Sequence, residues 1–298
     1  MDFQKLVTTE FGTRTWLALG ALPPRMGYAI ARWLTRRLHQ HKQGKVYRVL
    51  YANQRRVLGE EATEEQIDAA VAAVLRHAGI SQYDIVRAIS QGEQAIVDTF
   101  ELGEPFWANL HAARSTGQGV LICGAHLTNF NLGFLAFAIQ GGFPLQTLSA
   151  AQPAGGFGVI RDLRNRGVIE DTAIDTSSLL KAVRRLRAGG AAVVGIDWPI
   201  PEAEERIEFF GAPSHLSSGP VRLALSANAL IVLLHCHWSP ERGYWAATDP
   251  PIELTRTGNR EQDIHDNTHR LLSIVEGWIR EAPDQWLMYH PVWPDTAS

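Results

Sequence analysis

Gly119-Val-Leu-Ile-Cys-Gly-Ala-His126-Leu-Thr-Asn-Phe-Asn131-Leu-Gly-Phe-Leu-Ala-Phe-Ala-Ile139 decides the fold. Val120 to Cys123 is a short apolar run with a glycine before and after it. That pattern predicts a strand buried on both faces, as in a sheet covered by helices. Gly124 and Ala125 remove side-chain bulk where His126 leaves the strand, and Thr128 or Asn129 then caps a helix predicted to reach about Gln140. A histidine at the carboxyl end of a buried strand, beside a helix N-terminus, lies where open α/β sheets bind ligands. Backbone N–H groups there can hold developing negative charge. His126 is therefore a candidate general base, set against the plainer reading of a loop histidine bonded to backbone.

The rest of the chain surrounds this unit with alternating elements. Lys45 to Leu58, Thr63 to Ser90 and Glu104 to Thr116 carry helical spacing, with Thr63 and Gln66 placed as a capping box. Gly59 to Thr63 and Gln91 to Thr99 read as breaks. Leu145 to Ala150 is a predicted strand, Gln152 to Gly158 a loop, and Ile160 to Arg166 a basic segment leading into Val168 and Ile169. A helix is expected from an N-cap at Thr176 to the stop at Gly189-Gly190, and the strand Ala192 to Ile196 then delivers Asp197. Glu205 to Phe210 reads as a strand, Gly219 to Ala227 as a helix and Leu230 to Cys236 as a buried strand. A hairpin at Arg242-Gly243 follows, then a helix from Asp263 to Glu281 and a strand from Trp286 to His290. These pieces make a single α/β domain with a mainly parallel, mixed central sheet flanked by helices and a helical N-terminal third. Its parts are a basic arm at 1–60, a helical scaffold at 61–116 and an α/β core at 117–298.

The 298 residues are 45% hydrophobic, ample for a core. The net charge of −3 hides an asymmetry: residues 1–60 hold eleven Lys/Arg against Asp2, Glu10 and Glu60, a local +8, which leaves −11 on the remainder. Such an arm on an acidic body fits an anionic partner, and no nucleic-acid recognition motif accompanies the charge, so a membrane surface is preferred. Met26, Ile30, Leu34 and Leu38 repeat every four residues, with Arg25, Arg32 and Arg36 elsewhere around the helix and Trp16, Tyr28 and Trp33 as interfacial anchors. The alternative is an ordinary helix packed on the body. Pro23 and Pro24 interrupt the segment, neither half spans a bilayer, and no signal-peptide pattern is present.

Two cysteines, Cys123 and Cys236, lie inside apolar runs and read as buried thiols rather than disulfide partners or zinc ligands. His265/His269 and His235/His237 lack the neighbouring ligands of a metal motif, and no Gly-x-Ser-x-Gly elbow is present.

Several landmarks occur together in order: His126-Leu-Thr-Asn-Phe-Asn131, Leu163-Arg164, Val193-Val-Gly-Ile-Asp197-Trp-Pro, Phe209-Phe-Gly-Ala-Pro-Ser-His-Leu-Ser-Ser-Gly-Pro220 and Pro283-Asp-Gln-Trp286. In this the chain resembles, almost end to end, the bacterial lipid A late acyltransferases and the related mycobacterial phosphatidylinositol mannoside acyltransferases of the lysophospholipid acyltransferase group. The resemblance implies an O-acyltransferase that moves a fatty acyl group from an acyl thioester to a hydroxyl of a lipid or glycolipid. Acyl-coenzyme A or acyl carrier protein would be the co-substrate, with no other cofactor and no metal. A monomer peripheral to the cytoplasmic face of the membrane is expected. Arg164, with Arg161 and Arg166 nearby, is a candidate to hold a phosphate of the donor or the acceptor, because a guanidinium matches phosphate oxygens bidentately, against the plainer reading of a solvated basic helix face; Ser217 and Ser218 are further candidate substrate contacts.

The chain departs from the pattern at Asn131, where the family has an acidic residue, and at Met288-Tyr-His-Pro-Val292, where basic residues often follow the final tryptophan. Acyl transfer needs a base for the hydroxyl proton and a donor for the tetrahedral oxyanion. Asn131 can orient His126 but cannot supply charge. Asp197 is the expected replacement partner and Glu208 the fallback. The rival reading is a non-catalytic lipid-binding or scaffold protein that keeps the fold.

Overall fold

The computed structural model describes residues 18–149, 167–202 and 205–294. Its N-terminal helices are α1 (Pro24–Gln40), α2 (Lys45–Leu58), α3 (Glu64–Gln91) and α4 (Glu93–Thr99). There follow β1 (Phe100–Leu102), α5 (Glu104–Ser115), β2 (Val120–Gly124), α6 (Phe130–Ile139), β3 (Leu145–Ser149) and β4 (Ile169–Ala173). The remainder comprises α7 (Thr176–Arg187), β5 (Ala191–Gly195), β6 (Ile207–Phe209), β7 (Ala212–Ser214), α8 (Gly219–Ala227), β8 (Leu230–Ser239), β9 (Gly243–Thr248) and α9 (Arg260–Glu281).

Seven strands form one sheet in the order β1-β9-β8-β2-β5-β3-β4, all pairs parallel except the β8–β9 hairpin. β2 lies at its centre, between β8 and β5. Alternation along β2 sends Leu121 and Cys123 into a core under α7, α8 and α9, and Val120 and Ile122 into a second core under α5 and α6. Both faces are covered, which is why the strand is apolar throughout and why its polar chemistry is confined to its carboxyl end.

Where sequence and structure differ, the reason is local. Within the break expected at Gln91 to Thr99, only Gly92, at φ 98°, interrupts the helix, and α4 then runs straight into β1. β1 has three residues and owes its existence to pairing with β9, nearly 150 residues away, so no local pattern announces it. Asp175, not Thr176, caps α7, exchanging bonds with Ser178 in a capping box. Glu205 to Phe210 narrows to β6, which pairs only with β7 in a separate antiparallel ribbon. Trp286 to His290 is not a strand. It follows a short 3-10 turn at Pro283–Gln285 and touches strand geometry at one bridge, Leu127 to Trp286.

α1 shows a sharper difference. Its buried face is Gly27, Ala31 and Thr35, a row of small residues spaced by four. A Cβ on Gly27 would come within 2.0 Å of the Tyr83 ring of α3, and one on Gly79 of α3 within 2.5 Å of Thr35, so the two helices meet at close range. Tyr28 stacks edge-on against Tyr83 and donates to Asp84, whose other oxygen accepts from Tyr244 of β9. Of the side chains that the sequence marked as a stripe, Met26 is 53% exposed and Leu34 38%, whereas Ile30 and Leu38 are half-buried and Leu38 packs on the core between α2 and α3; Trp33, an expected anchor, is 56% exposed. No helix among the described residues is long and apolar enough to cross a membrane.

Candidate active site

β2 and β5 run side by side, and both end in glycine: Gly124 pairs with Gly195. His126 and Asp197 each follow two residues later, which brings them together at the carboxyl edge of the sheet. Asp197 Oδ1 lies 2.6 Å from His126 Nδ1, and Oδ2 accepts the backbone N–H of His126 at 2.9 Å and the indole N–H of Trp286 at 2.8 Å. The Asp197 side chain is wholly buried while that of His126 keeps 20% of its surface exposed. Burial alone would push the Asp197 carboxyl up, but the His126 charge and the bonds from His126 and Trp286 outweigh it and hold the group below the usual carboxylate range. A carboxylate so held fixes one ring nitrogen and leaves the other, Nε2, for chemistry.

The ring has room because residue 195 is glycine: a Cβ there would lie 2.9 Å from His126 Cε1. Phe130 meets the ring edge-on at 5.0 Å, and Trp198 lies tilted at 5.2 Å, with His290 in turn tilted against Trp198 at 4.5 Å. The His126 carbonyl accepts from the Leu287 N–H, so the residue is held at both backbone ends.

The turn that follows is strained. Thr128 adopts φ 42°, a left-handed conformation that for a β-branched residue costs about 1–3 kcal/mol and persists only where surroundings over-determine it. Its N–H donates to the Gln285 carbonyl at 2.7 Å, and its hydroxyl meets His77 Nε2 of α3 at 2.7 Å. The Asn129 amide donates to the Ser81 carbonyl, also on α3. Neither residue therefore caps α6 with its side chain, contrary to the local expectation, because α3 supplies buried partners that a helix start in isolation lacks.

The remaining expected site residues fall in different places. Asn131 is half-buried in the first turn of α6, and the aspartate partner of His126 is Asp197. Glu208 is exposed: strand alternation turns Ile207 and Phe209 inward, Phe209 toward Trp286, and Glu208 away, so it does not join the dyad. Ser218 is buried, its hydroxyl bonded to the Glu205 carboxylate and to the Arg222 guanidinium, while Ser217 Oγ accepts from the Gly219 N–H. Both hydroxyls serve the start of α8. Arg161, Arg164 and Arg166 lie outside the described residues, as does Trp16.

His235 and His237 face each other on the extension of β8, stacked on Trp278 and Trp245, and His265 and His269 lie on α9. No group of three metal-ligating side chains occurs among the described residues. Burial pushes the Cys123 thiol up to about 12, which leaves it un-ionised and unsuited as a nucleophile.

On the α5 and α6 side of the sheet, Phe130 also borders a small apolar cavity, ≈ 30 Å³ in volume, lined further by Phe106, Phe134, Phe137 and Cys236. The dyad and this cavity share one wall.

The family described as bacterial lipid A biosynthesis acyltransferase matches residues 2–294. The chain belongs to that family. Phosphatidylinositol mannoside acyltransferases from two strains of Mycobacterium tuberculosis are 26% identical to it over 109 residues, 37% of this chain. The match spans 33% of the length of those relatives. Trp286, Thr128 and His77 were not singled out by sequence reasoning as parts of the site. Trp286 stood in the Pro283-Asp-Gln-Trp286 landmark, which gave its position but not its bond to Asp197.

Proposed function

We propose that this member of the lipid A biosynthesis acyltransferase family transfers a fatty acyl group from an acyl thioester to a hydroxyl of a lipid or glycolipid acceptor, with His126 as general base. The observation that carries the reading is the wholly buried Asp197 carboxylate bonded to Nδ1 of His126, whose side chain keeps 20% of its surface exposed. In this scheme His126 Nε2 takes the proton of the acceptor hydroxyl as its oxygen attacks the thioester carbonyl, and Asp197 stabilises the imidazolium that forms. Collapse of the tetrahedral intermediate breaks the carbon–sulfur bond, and the imidazolium returns the proton to the departing thiolate. The products are the acyl ester and the free thiol of coenzyme A or acyl carrier protein.

The cavity beside Phe130 is the candidate seat for the acyl chain. At ≈ 30 Å³ it has room for about one methyl-sized group, so a fatty chain enters when the phenylalanines of α6 swing aside. The exposed Met26, Trp33 and Leu34 of α1, with Arg25, Arg32, Arg36 and Arg37 exposed on the same helix, support peripheral contact with an anionic membrane on the cytoplasmic side. Purified protein supplied with labelled acyl-coenzyme A or acyl carrier protein and an extracted lipid pool is expected to form labelled lipid, and His126→Ala to abolish it. Undiminished turnover in His126→Ala would end the proposal.

A further inference from the structure

We infer that His77 and Thr128 form a clamp that positions His126: the hydrogen bond between the α3 imidazole and the Thr128 hydroxyl holds the left-handed turn that keeps the His126 ring on Asp197. The inference rests on the reading of His126 as the base, and deepens it by naming groups that touch no reacting atom.

The clamp has two points. His77 and Ser81 are four residues apart on one face of α3, and they hold consecutive residues of the turn, Thr128 through its hydroxyl and Asn129 through its amide. All four side chains are buried, so these bonds do not compete with water. A third support comes from Gln285, whose carbonyl accepts from the Thr128 N–H. Its side-chain amide is pinned by both the N–H and the carbonyl of Trp238. The next residue, Trp286, is the one that bonds Asp197. One dipeptide thus holds the aspartate side of the dyad and part of the turn, while α3 holds the rest of the turn.

A β-branched residue at φ 42° has a restoring tendency toward negative φ. Without the hydroxyl bond that tendency acts on a turn only two residues from His126. Asp197 would stay where Trp286 holds it, and the histidine would move. His77 suits a fixed, neutral role, since burial pushes its imidazole down to about 4 and it stays uncharged across physiological pH.

The test uses the full chain, labelled with ¹⁵N in histidine, as wild type and as Thr128→Val, Thr128→Ser, His77→Leu and His77→Gln. Thr128→Val removes the hydroxyl and keeps the volume, so it decides the question even should His77→Leu fail to fold. The first readout is the low-field proton resonance of the His126–Asp197 hydrogen bond, assigned by its loss in His126→Ala, which needs no substrate. The second is transfer from palmitoyl-coenzyme A to an extracted lipid pool, with kcat and KM separated. Thr128→Val and His77→Leu are expected to lose the resonance and to drop kcat by about 10–100-fold at unchanged KM, the scale of a small misplacement of a reacting group. Thr128→Ser and His77→Gln, which can keep a bond, should stay close to wild type. Retention of the resonance and of kcat in a folded Thr128→Val protein overturns the clamp. Loss of the resonance in that variant supports it, even where wild type itself shows no transfer, an outcome that would count against the acyltransferase reading alone.

Discussion

Asp197 satisfies both carboxylate oxygens inside the protein, so small changes around it have readable effects. Asp197→Asn keeps the shape but removes the charge that stabilises the imidazolium. In the serine protease template the same exchange costs about 10⁴ in rate, and turnover here should fall by orders of magnitude in a labelled-lipid assay. Asn131→Asp should change turnover modestly, since the charge already comes from β5. The pH dependence has a definite sign. The folded-state carboxyl titrates below its ordinary value of 3.8, so it contributes stability above that value, and the contribution is lost as pH falls through the lowered one. Urea midpoints taken from pH 7 down to 3 should decline below about pH 4 in wild type through this group, and Asp197→Asn should lack that part of the decline while being about 1–3 kcal/mol less stable at pH 7. Gly195→Ala is the gentlest probe: its methyl group would press on His126 Cε1 and should lower kcat by roughly 10²-fold with little loss of stability.

Elements were legible in the sequence where local pattern and tertiary use agree. β2, β5 and β8 are apolar runs because both their faces are covered, and their predicted bounds hold to within a few residues. The Thr63–Gln66 capping box is a purely local device and is present as expected. Failures occur where a distant partner decides: β1 exists through β9, the start of α6 is set by α3, and the close seam of α1 on α3 is made by small residues beside the apolar stripe. That last case makes a prediction. Gly27→Leu drives a side chain into Tyr83 and should destabilise the protein by about 1–3 kcal/mol in urea unfolding, the cost of overpacking. Trp33→Ser, on the exposed face, should leave the urea midpoint unchanged and weaken sedimentation with anionic vesicles.

At the scale of the whole molecule, parallel strands ending on one edge bring His126 and Asp197, 71 residues apart, into contact without any local signature. The dyad was foreseeable because each residue follows an apolar run by the same short interval, but the roles of Trp286, His77 and Thr128 depend on packing between the C-terminal segment, α3 and the turn. The charge asymmetry is likewise visible in sequence. Reversing Arg32, Arg36 and Arg37 to glutamate should weaken binding to vesicles containing anionic lipid at moderate salt, and raising salt should weaken wild type in the same direction. Unchanged sedimentation would mean that α1 serves only as a cover for α3.

The two cysteines, placed by alternation on opposite faces of the sheet, give the molecule a built-in pair of chemical clocks. Cys236 borders the cavity beside Phe130, whereas Cys123 lies beneath the opposite layer of helices. Burial pushes both thiols up to about 12, so neither reacts with an alkylating reagent until its layer opens. Alkylation rates followed by mass spectrometry therefore time the opening of each face separately. A fatty chain seated against the α6 phenylalanines would slow the Cys236 clock selectively, and a ligand bound elsewhere would not.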